Sequence, residues 1–386
     1  MRRWKNLFGP ALLAAWLAPA CKTPRSATDT PVDEPQPATD TPVDEPQPAA
    51  ETETGVVEEQ VRWEAAGTTV HGTLTRPAGE GPFPAVLLIA GSGPTDRNWE
   101  SPLLPGTNGT ARLLAHALAR RGVATLRYDK SGTGETAAPD GMTMATYLAE
   151  QQGGLALLRA HAAVDPARLF VAGHSEGALH ALVLAHDAGG PLAGLVLLSG
   201  PGFSLADTMH RQISGQFAAA VAAGAMEQAA ADAELEKLRG ALDDVCAGRD
   251  VAPEHGSGIP GIAALVQSVA APGQRALVAE LLPLDPQALL AGLTLPLLVV
   301  NGAKDLQVRP DIDARALSAA ATAAGLPDVE LVVLEQADHV YKLEPRPFAE
   351  LTPQDGLTYN ADGRELDPAL VETLAAWLAR AAPAAP

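Results

Sequence analysis

From Val61 onward the apolar positions follow two alternating patterns. Short unbroken apolar runs stand at Ala85–Ala90, Val123–Tyr128, Leu169–Ala172, Leu195–Leu198, Leu297–Val300 and Leu331–Leu334. Such runs suit strands covered on both faces. Between them, helical spacing fits Thr110–Arg121, Tyr147–Ala162, Glu176–His186 and, near the end, Val371–Ala381. Val61–Trp63 and Val70–Leu74 flank Gly67 and predict a β-hairpin. Strands alternating with helices predict an α/β fold, a mostly parallel central sheet with helices on both faces. Sheets of that kind carry their functional loops at the carboxyl ends of the strands.

One stretch breaks the alternation. Between Pro201 and Leu293 there is no strand signal, only Ala-rich helical sequence such as Phe217–Arg239 and Ile262–Leu282. This predicts a helical cap inserted at about 201–293 between two sheet strands, over the mouth of the site. Cys246, inside it, is expected to be a buried small residue rather than a reactive thiol.

The first 59 residues follow neither pattern. Arg2, Arg3 and Lys5 precede an apolar stretch from Leu7 to Ala20. That is the layout of a secretory signal peptide over residues 1–20, and it is short for a membrane span. It ends Leu17-Ala18-Pro19-Ala20-Cys21, which resembles a bacterial lipobox. In that motif the cysteine is acylated, so Cys21 is the expected lipidation site. The expected location is the bacterial cell envelope, with membrane contact through the lipid anchor alone; the alternative is ordinary secretion with cleavage near Ala20, to the periplasm or the exterior. Ala27–Pro37 then reads ATDTPVDEPQP, and Ala38–Pro48 repeats it letter for letter. A proline-rich acidic segment without aromatics cannot bury enough surface to offset its ordering entropy. Residues 21–59 are therefore expected to form an extended tether ahead of a folded domain over 60–386.

Composition narrows the function. Net charge is -19, a field that disfavours nucleic acid and anionic lipid surfaces. Two cysteines cannot build a disulfide scaffold or a four-cysteine zinc site. The nine histidines include no HExxH, and there is no GxxxxGK[ST] phosphate loop, so neither metal nor cofactor is expected. Nothing in the residues points to a protein partner.

The chemistry concentrates at strand ends. Leu169–Ala178 reads strand, sharp turn, helix, and holds Gly173-x-Ser175-x-Gly177. This is a nucleophile elbow, in which a strained turn lifts the serine hydroxyl above the sheet and flanking glycines allow close packing. A serine needs a base, and the base needs a carboxylate to orient it. In this class of sheet the chain order is Ser, Asp or Glu, then His. Asp305 follows the Leu297–Val300 strand and His339 follows the Leu331–Leu334 strand, in that order. Asp311 and Asp313 are rivals placed to begin the next helix, and Asp338 adjoins His339 in sequence and must point elsewhere. A tetrahedral intermediate needs two backbone N–H donors. Glu176, directly after the nucleophile, supplies one by position, and Ser92, in the loop Ala90-Gly91-Ser92-Gly93, the other. The Glu176 side chain either touches substrate or caps its helix. Asp129–Gly134 is glycine-rich but spaced wrongly for GxGxxG, and is expected to form a loop near the mouth of the site.

These motifs together resemble the α/β-hydrolase superfamily, in particular bacterial serine esterases of the EstD-like type. The resemblance lies in Gly91-Ser92-Gly93-Pro94-Thr95-Asp96-Arg97, Gly173-His174-Ser175-Glu176-Gly177, Asp285-Pro286 and Gly302-Ala303-Lys304-Asp305-Leu306-Gln307-Val308. It covers the chain from about Gln60 onward, inserted region included. One departure is Asp338, where the family often has Asn before the histidine. The resemblance implies hydrolysis of small carboxylic esters, usually with short acyl chains. Peptidase or thioesterase activity on the same residues, or a non-catalytic binding module, are the alternatives.

Overall fold

A computed structural model describes residues 50–53 and 55–381. The signal-like segment, Cys21 and the repeat lie outside the described residues.

Among the described residues, nine strands form one sheet in the order β1-β2-β3-β5-β4-β6-β7-β8-β9. They are β1 Ala50–Glu53, β2 Val56–Ala65, β3 Thr68–Pro77, β4 Phe83–Ile89, β5 Ala124–Tyr128, β6 Val164–His174, β7 Gly194–Leu198, β8 Leu297–Gly302 and β9 Val329–Leu334. The first three strands and β5 pair antiparallel, and β5, β4, β6, β7, β8 and β9 pair parallel in that order. The sheet therefore begins ten residues before Gln60, and the expected domain boundary falls inside β2. Sequence gave no sign of β1, because Ala-Glu-Thr-Glu carries no apolar alternation. The hairpin strands are also longer than expected, ten residues each.

The unbroken apolar runs are the central parallel strands, and the pleat explains their composition. Leu87 and Ile89 of β4, Val171 of β6 and Leu195 of β7 face one buried cluster. Their alternate neighbours Val86, Leu88, Phe170 and Val196 face another. A strand with a core on each side has no polar face to show. Helices α1 (Thr110–Ala119) and α10 (Pro368–Ala381) cover the second face, with Trp377 wedged against Phe170. Helices α2 (Met144–Ala160) and α3 (Glu176–His186) cover the first.

Between β7 and β8 the chain leaves the sheet as helices α4 (Leu205–Ala222), α5 (Gln228–Cys246), α6 (Pro260–Val269), α7 (Arg275–Leu281) and the short α8 (Pro286–Leu289). These build their own core around Phe217, Leu238, Leu242 and Ile262, joined to the sheet layer through Leu179. The two long helical stretches expected from sequence are each broken. Gly224, at φ +65°, ends the first helix, and Pro272-Gly273 separates α6 from α7. Cys246 is only half-buried. Its thiol is pushed up by burial and by Asp243 and Asp207.

The strand order reverses at β4. The chain passes from β4 to β5 on one side and then to β6 on the other. In open α/β sheets ligands bind at such a switch point, outside the carboxyl ends of the strands. Here those ends are the loop after Ile89 and the turn after His174.

Candidate active site

Ser175 occupies the turn between β6 and α3 at φ 55°, ψ -124°, a region that side chains other than glycine rarely adopt. The turn is held from both sides. Ser175 N–H donates to Leu198 O of β7 at 2.9 Å, and Ser175 O accepts Ala178 N–H at 2.9 Å. The flanking glycines are required by close approach. A Cβ on Gly173 would meet Gly177 O at 2.1 Å, and one on Gly177 would meet the carbonyl oxygens of Ala90 and Ile89 at 2.6 Å. The same packing brings the Gly91 backbone over Ser175, where a Cβ would lie 3.1 Å from Ser175 Cβ.

Asp305 sits in the loop after β8, fully buried. Its Oδ1 accepts Gln307 N–H at 2.8 Å and Val308 N–H at 2.9 Å. Its Oδ2 accepts from Asn301 Nδ2 at 3.3 Å and pairs with His339 Nδ1 at 2.8 Å. His339 lies in the loop after β9, and its Nε2 is the ring nitrogen that Asp305 does not engage. The Ser175 hydroxyl makes no hydrogen bond to His339 in this structure. Substrate-free sites often hold this pair at longer range.

The rival carboxylates are otherwise occupied. Asp313 pairs with Arg211 and accepts Gly202 N–H at 3.0 Å, and Asp311 pairs with Arg309. Both lie at the turn leading into α9 (Arg315–Ala323). Asp338 turns from His339 to Arg364 at 2.7 Å, and its Oδ1 accepts the N–H groups of Val340 and Lys342. Burial raises its pKa against the pull of Arg364. An aspartate here thus shapes the loop carrying His339.

His174 belongs to the site although sequence reasoning gave it no role. Its Nε2 lies 2.9 Å from His339 O. A carbonyl only accepts, so Nε2 carries the proton. Burial and the adjacent His339 pull its pKa down to about 3, so the ring is neutral and stacks on Trp99 at 4.6 Å. It ties the loop of His339 to the turn of Ser175. The available signal was its position, next to Ser175 and at the end of a buried strand.

Glu176 is the first residue of α3, so its N–H belongs to the first turn, which has no intrahelical acceptor. Its carboxylate makes no side-chain cap. It lies 3.8 Å from Lys130 Nζ and 3.4 Å from His180 Nε2. Burial raises its pKa, but the charge of Lys130 and the bond to His180 hold it below the usual range. Ser92 follows Gly91 in the loop over Ser175, and its carbonyl accepts from Thr95 Oγ1 at 2.7 Å.

Two cavities flank these residues. One of about 190 Å3 lies between Gly93, Lys130, Tyr147 and Glu176 and the cap residues Leu277 and Leu281. The other, about 470 Å3, opens between α4 of the cap and Gln307, Phe348 and Tyr359. The Tyr359 ring lies 6.0 Å from that of His339.

The comparisons agree with this architecture. Residues 86–351 match the model of the Alpha/beta hydrolase family. Esterase EstD of Thermotoga maritima is 26% identical over 273 residues, which is 70% of this chain and 57% of that relative's length. Among solved structures, a thermostable esterase from Pseudomonas putida aligns with a TM-score of 0.50 at 18% identity, covering 86% of this chain and 85% of that one. A variant of esterase rPPE gives a TM-score of 0.51 at 19% identity over the same shares. These two likenesses bear on the fold. The family match spans the strands that carry Gly91, Ser175, Asp305 and His339, and with it the chain belongs to the alpha/beta hydrolase family.

Proposed function

We propose that the protein is a carboxylesterase acting on small esters with short acyl chains, through a Ser175–His339–Asp305 triad. The observation that carries this is the buried Asp305–His339 hydrogen bond at 2.8 Å, at two strand ends of the sheet whose β6 end holds Ser175 in a strained turn. The name of the Thermotoga relative supports the ester chemistry.

On this reading Asp305 keeps the proton of His339 on Nδ1, which leaves Nε2 to accept the proton of Ser175 Oγ as that oxygen attacks the ester carbonyl. The N–H groups of Glu176 and Ser92 stabilise the oxyanion. Collapse expels the alcohol, which takes the proton back from Nε2. Water then repeats the sequence on the acyl-enzyme, releasing the acid and restoring Ser175. The 190 Å3 cavity beside Glu176 takes the acyl group. A dry cavity of about 150 Å3 accommodates benzene, so this volume favours a chain of a few carbons. The larger cleft beyond Tyr359 takes the alcohol. The N-terminal sequence supports export and anchoring to the envelope through acylated Cys21.

The test is hydrolysis of p-nitrophenyl esters from acetyl to palmitoyl by wild type and Ser175→Ala. Turnover peaking at two to four carbons, and lost in a folded S175A protein, is expected. A long-chain optimum, or turnover retained in S175A, refutes the reading. No ester turnover with Ser175 still labelled by a fluorophosphonate would move the substrate to an amide or peptide. Loss of envelope association in Cys21→Ser tests the anchor, and a variant that still sediments with membranes overturns it.

A further inference from the structure

Lys130 is buried in the loop after β5, beside the nucleophile, and the reaction above does not use it. Its Nζ donates to the carbonyl oxygen of Gly91. That carbonyl belongs to the same peptide unit as the N–H of Ser92. The unit is planar, and among the described residues only Gly81–Pro82 is cis, so the two bonds point in opposite directions. Holding the oxygen therefore fixes the direction of the N–H. A cation on the carbonyl also polarises the amide and strengthens its N–H as a donor.

The surroundings suit such a clamp. Burial draws the ammonium's pKa down, and the nearby carboxylates of Glu176 and Glu150 oppose that. Glu176, 3.8 Å away, is anchored one residue beyond Ser175. The loop carrying Lys130 is itself fixed, since Glu150 of α2 accepts the Ser131 N–H at 3.2 Å and its hydroxyl. Lys130 thus couples the Gly91–Ser92 peptide to the turn that carries the nucleophile and its own oxyanion donor.

We propose that Lys130 is a positioning residue for the oxyanion hole, orienting and polarising the Ser92 N–H through the Gly91 carbonyl. The proposal rests on the triad reading above. Removing an oxyanion donor outright lowers kcat by about 10²–10³-fold, so losing the residue that aims one should cost about 10²-fold.

The experiment compares wild type, Lys130→Met and Lys130→Met/Glu176→Gln with p-nitrophenyl acetate and a trifluoromethyl ketone, monitoring unfolding in parallel. The ketone forms a hemiketal with Ser175 whose oxygen needs the same hole. A folded K130M protein should lose about 10²-fold in kcat with KM changed less than about threefold, and ketone affinity should fall by the same factor as kcat/KM. If K130M does not fold, the double variant, which also removes the opposing buried charge, is judged by the same criterion. A folded variant with kcat within threefold of wild type overturns the proposal. A loss confined to KM does too, by making Lys130 a wall of the acyl cavity. A wild type that neither turns over the ester nor labels at Ser175 would sink the triad reading instead, which keeps the two failures apart.

Discussion

Asp305→Asn tests the carboxylate that the proposed triad assigns to orienting His339, with little change in shape. The structure dictates how the new amide must sit. Oδ1 of Asp305 accepts two backbone N–H groups, from Gln307 and Val308, at 2.8 and 2.9 Å. An NH₂ at that position would face two donors, so the amide oxygen must stay there. The NH₂ is then forced to the Oδ2 position, 2.8 Å from His339 Nδ1. His339 can answer only by accepting at Nδ1, which moves its proton to Nε2 and removes the base from the side facing the nucleophile. The corresponding change in a serine protease triad costs about 10⁴-fold in kcat, or about 5 kcal/mol of barrier. The same NH₂ also faces Asn301 Nδ2, so a modest loss of stability should accompany it. Steady-state kinetics with p-nitrophenyl acetate and a thermal melt measure both. We expect kcat to fall by about 10⁴ with KM nearly unchanged. A folded D305N enzyme within tenfold of wild type would show that Asp305 does not set the tautomer of His339.

Glu150→Gln should stabilise the protein at alkaline pH. Burial raises the Glu150 pKa from 4.5 to about 7, against its bonds from Ser131. Below pH 4.5 the carboxyl is protonated in both states and adds no penalty. As pH rises from 4.5 to 7 the unfolded chain ionises first, so the folded state loses stability, levelling above pH 7 at about 3 kcal/mol. Denaturant unfolding should therefore show the gain of E150Q at pH 8 to be much larger than at pH 4.5, and an equal gain at both refutes the shift. Gly177→Ala places a Cβ 2.6 Å from two backbone carbonyl oxygens. Neither is a flexible group, so α3 must move off β4. A loss of about 1–3 kcal/mol is expected, with kcat falling as the elbow shifts, and unchanged stability would contradict the packing described.

The parts of this molecule legible in the sequence are those fixed by local pattern. The central strands announced themselves because each has a core on both faces, so Ala85–Ala90 and Leu195–Leu198 read as unbroken apolar runs. The elbow was legible because its strain and close packing demand Gly173 and Gly177 at fixed offsets. Asp305 and His339 stood out by position alone, each just past a strand, and the fold pairs them. What stayed hidden depends on contacts between distant segments. β1 is an acidic tetrapeptide held by backbone pairing to β2, which no side-chain pattern encodes. Lys130 reads as part of a glycine-rich loop until the fold sets its ammonium against Gly91, 39 residues earlier. His174 acts on a backbone atom 165 residues away. Two helices were overextended because Ala-rich sequence favours helix through Ala223 and Ala270–Ala271, and only glycine or proline there marks the ends.

A group of buried charges lies around the loops after β4 and β5, and its contacts argue for its purpose. Arg97 pairs with Asp129 at 2.6 Å, while Asp129 Oδ1 accepts the Arg97 N–H at 2.7 Å. Lys130 engages Gly91 and Glu176, and Glu150 holds Ser131. Every one of these contacts ties the loop after β4 to the loop after β5 or anchors one of them to a helix. Burying ions to stabilise a fold is inefficient, because desolvation consumes most of the Coulombic gain and an apolar core of equal volume does as well. An apolar alternative was available, since β4, β6 and β7 are packed that way on both faces. Ion pairs differ from apolar contacts in direction. They fix the orientation of particular peptide groups, which a hydrophobic contact leaves loose. A hole that must hold its N–H donors in place before charge develops needs that directionality. On the proposed mechanism, the cluster is therefore better understood as a rigid frame for the loop carrying Gly91 and Ser92 than as a source of stability. Neutralising Lys130 should accordingly lower kcat even far below the melting transition, where a loss of stability alone leaves the rate unchanged.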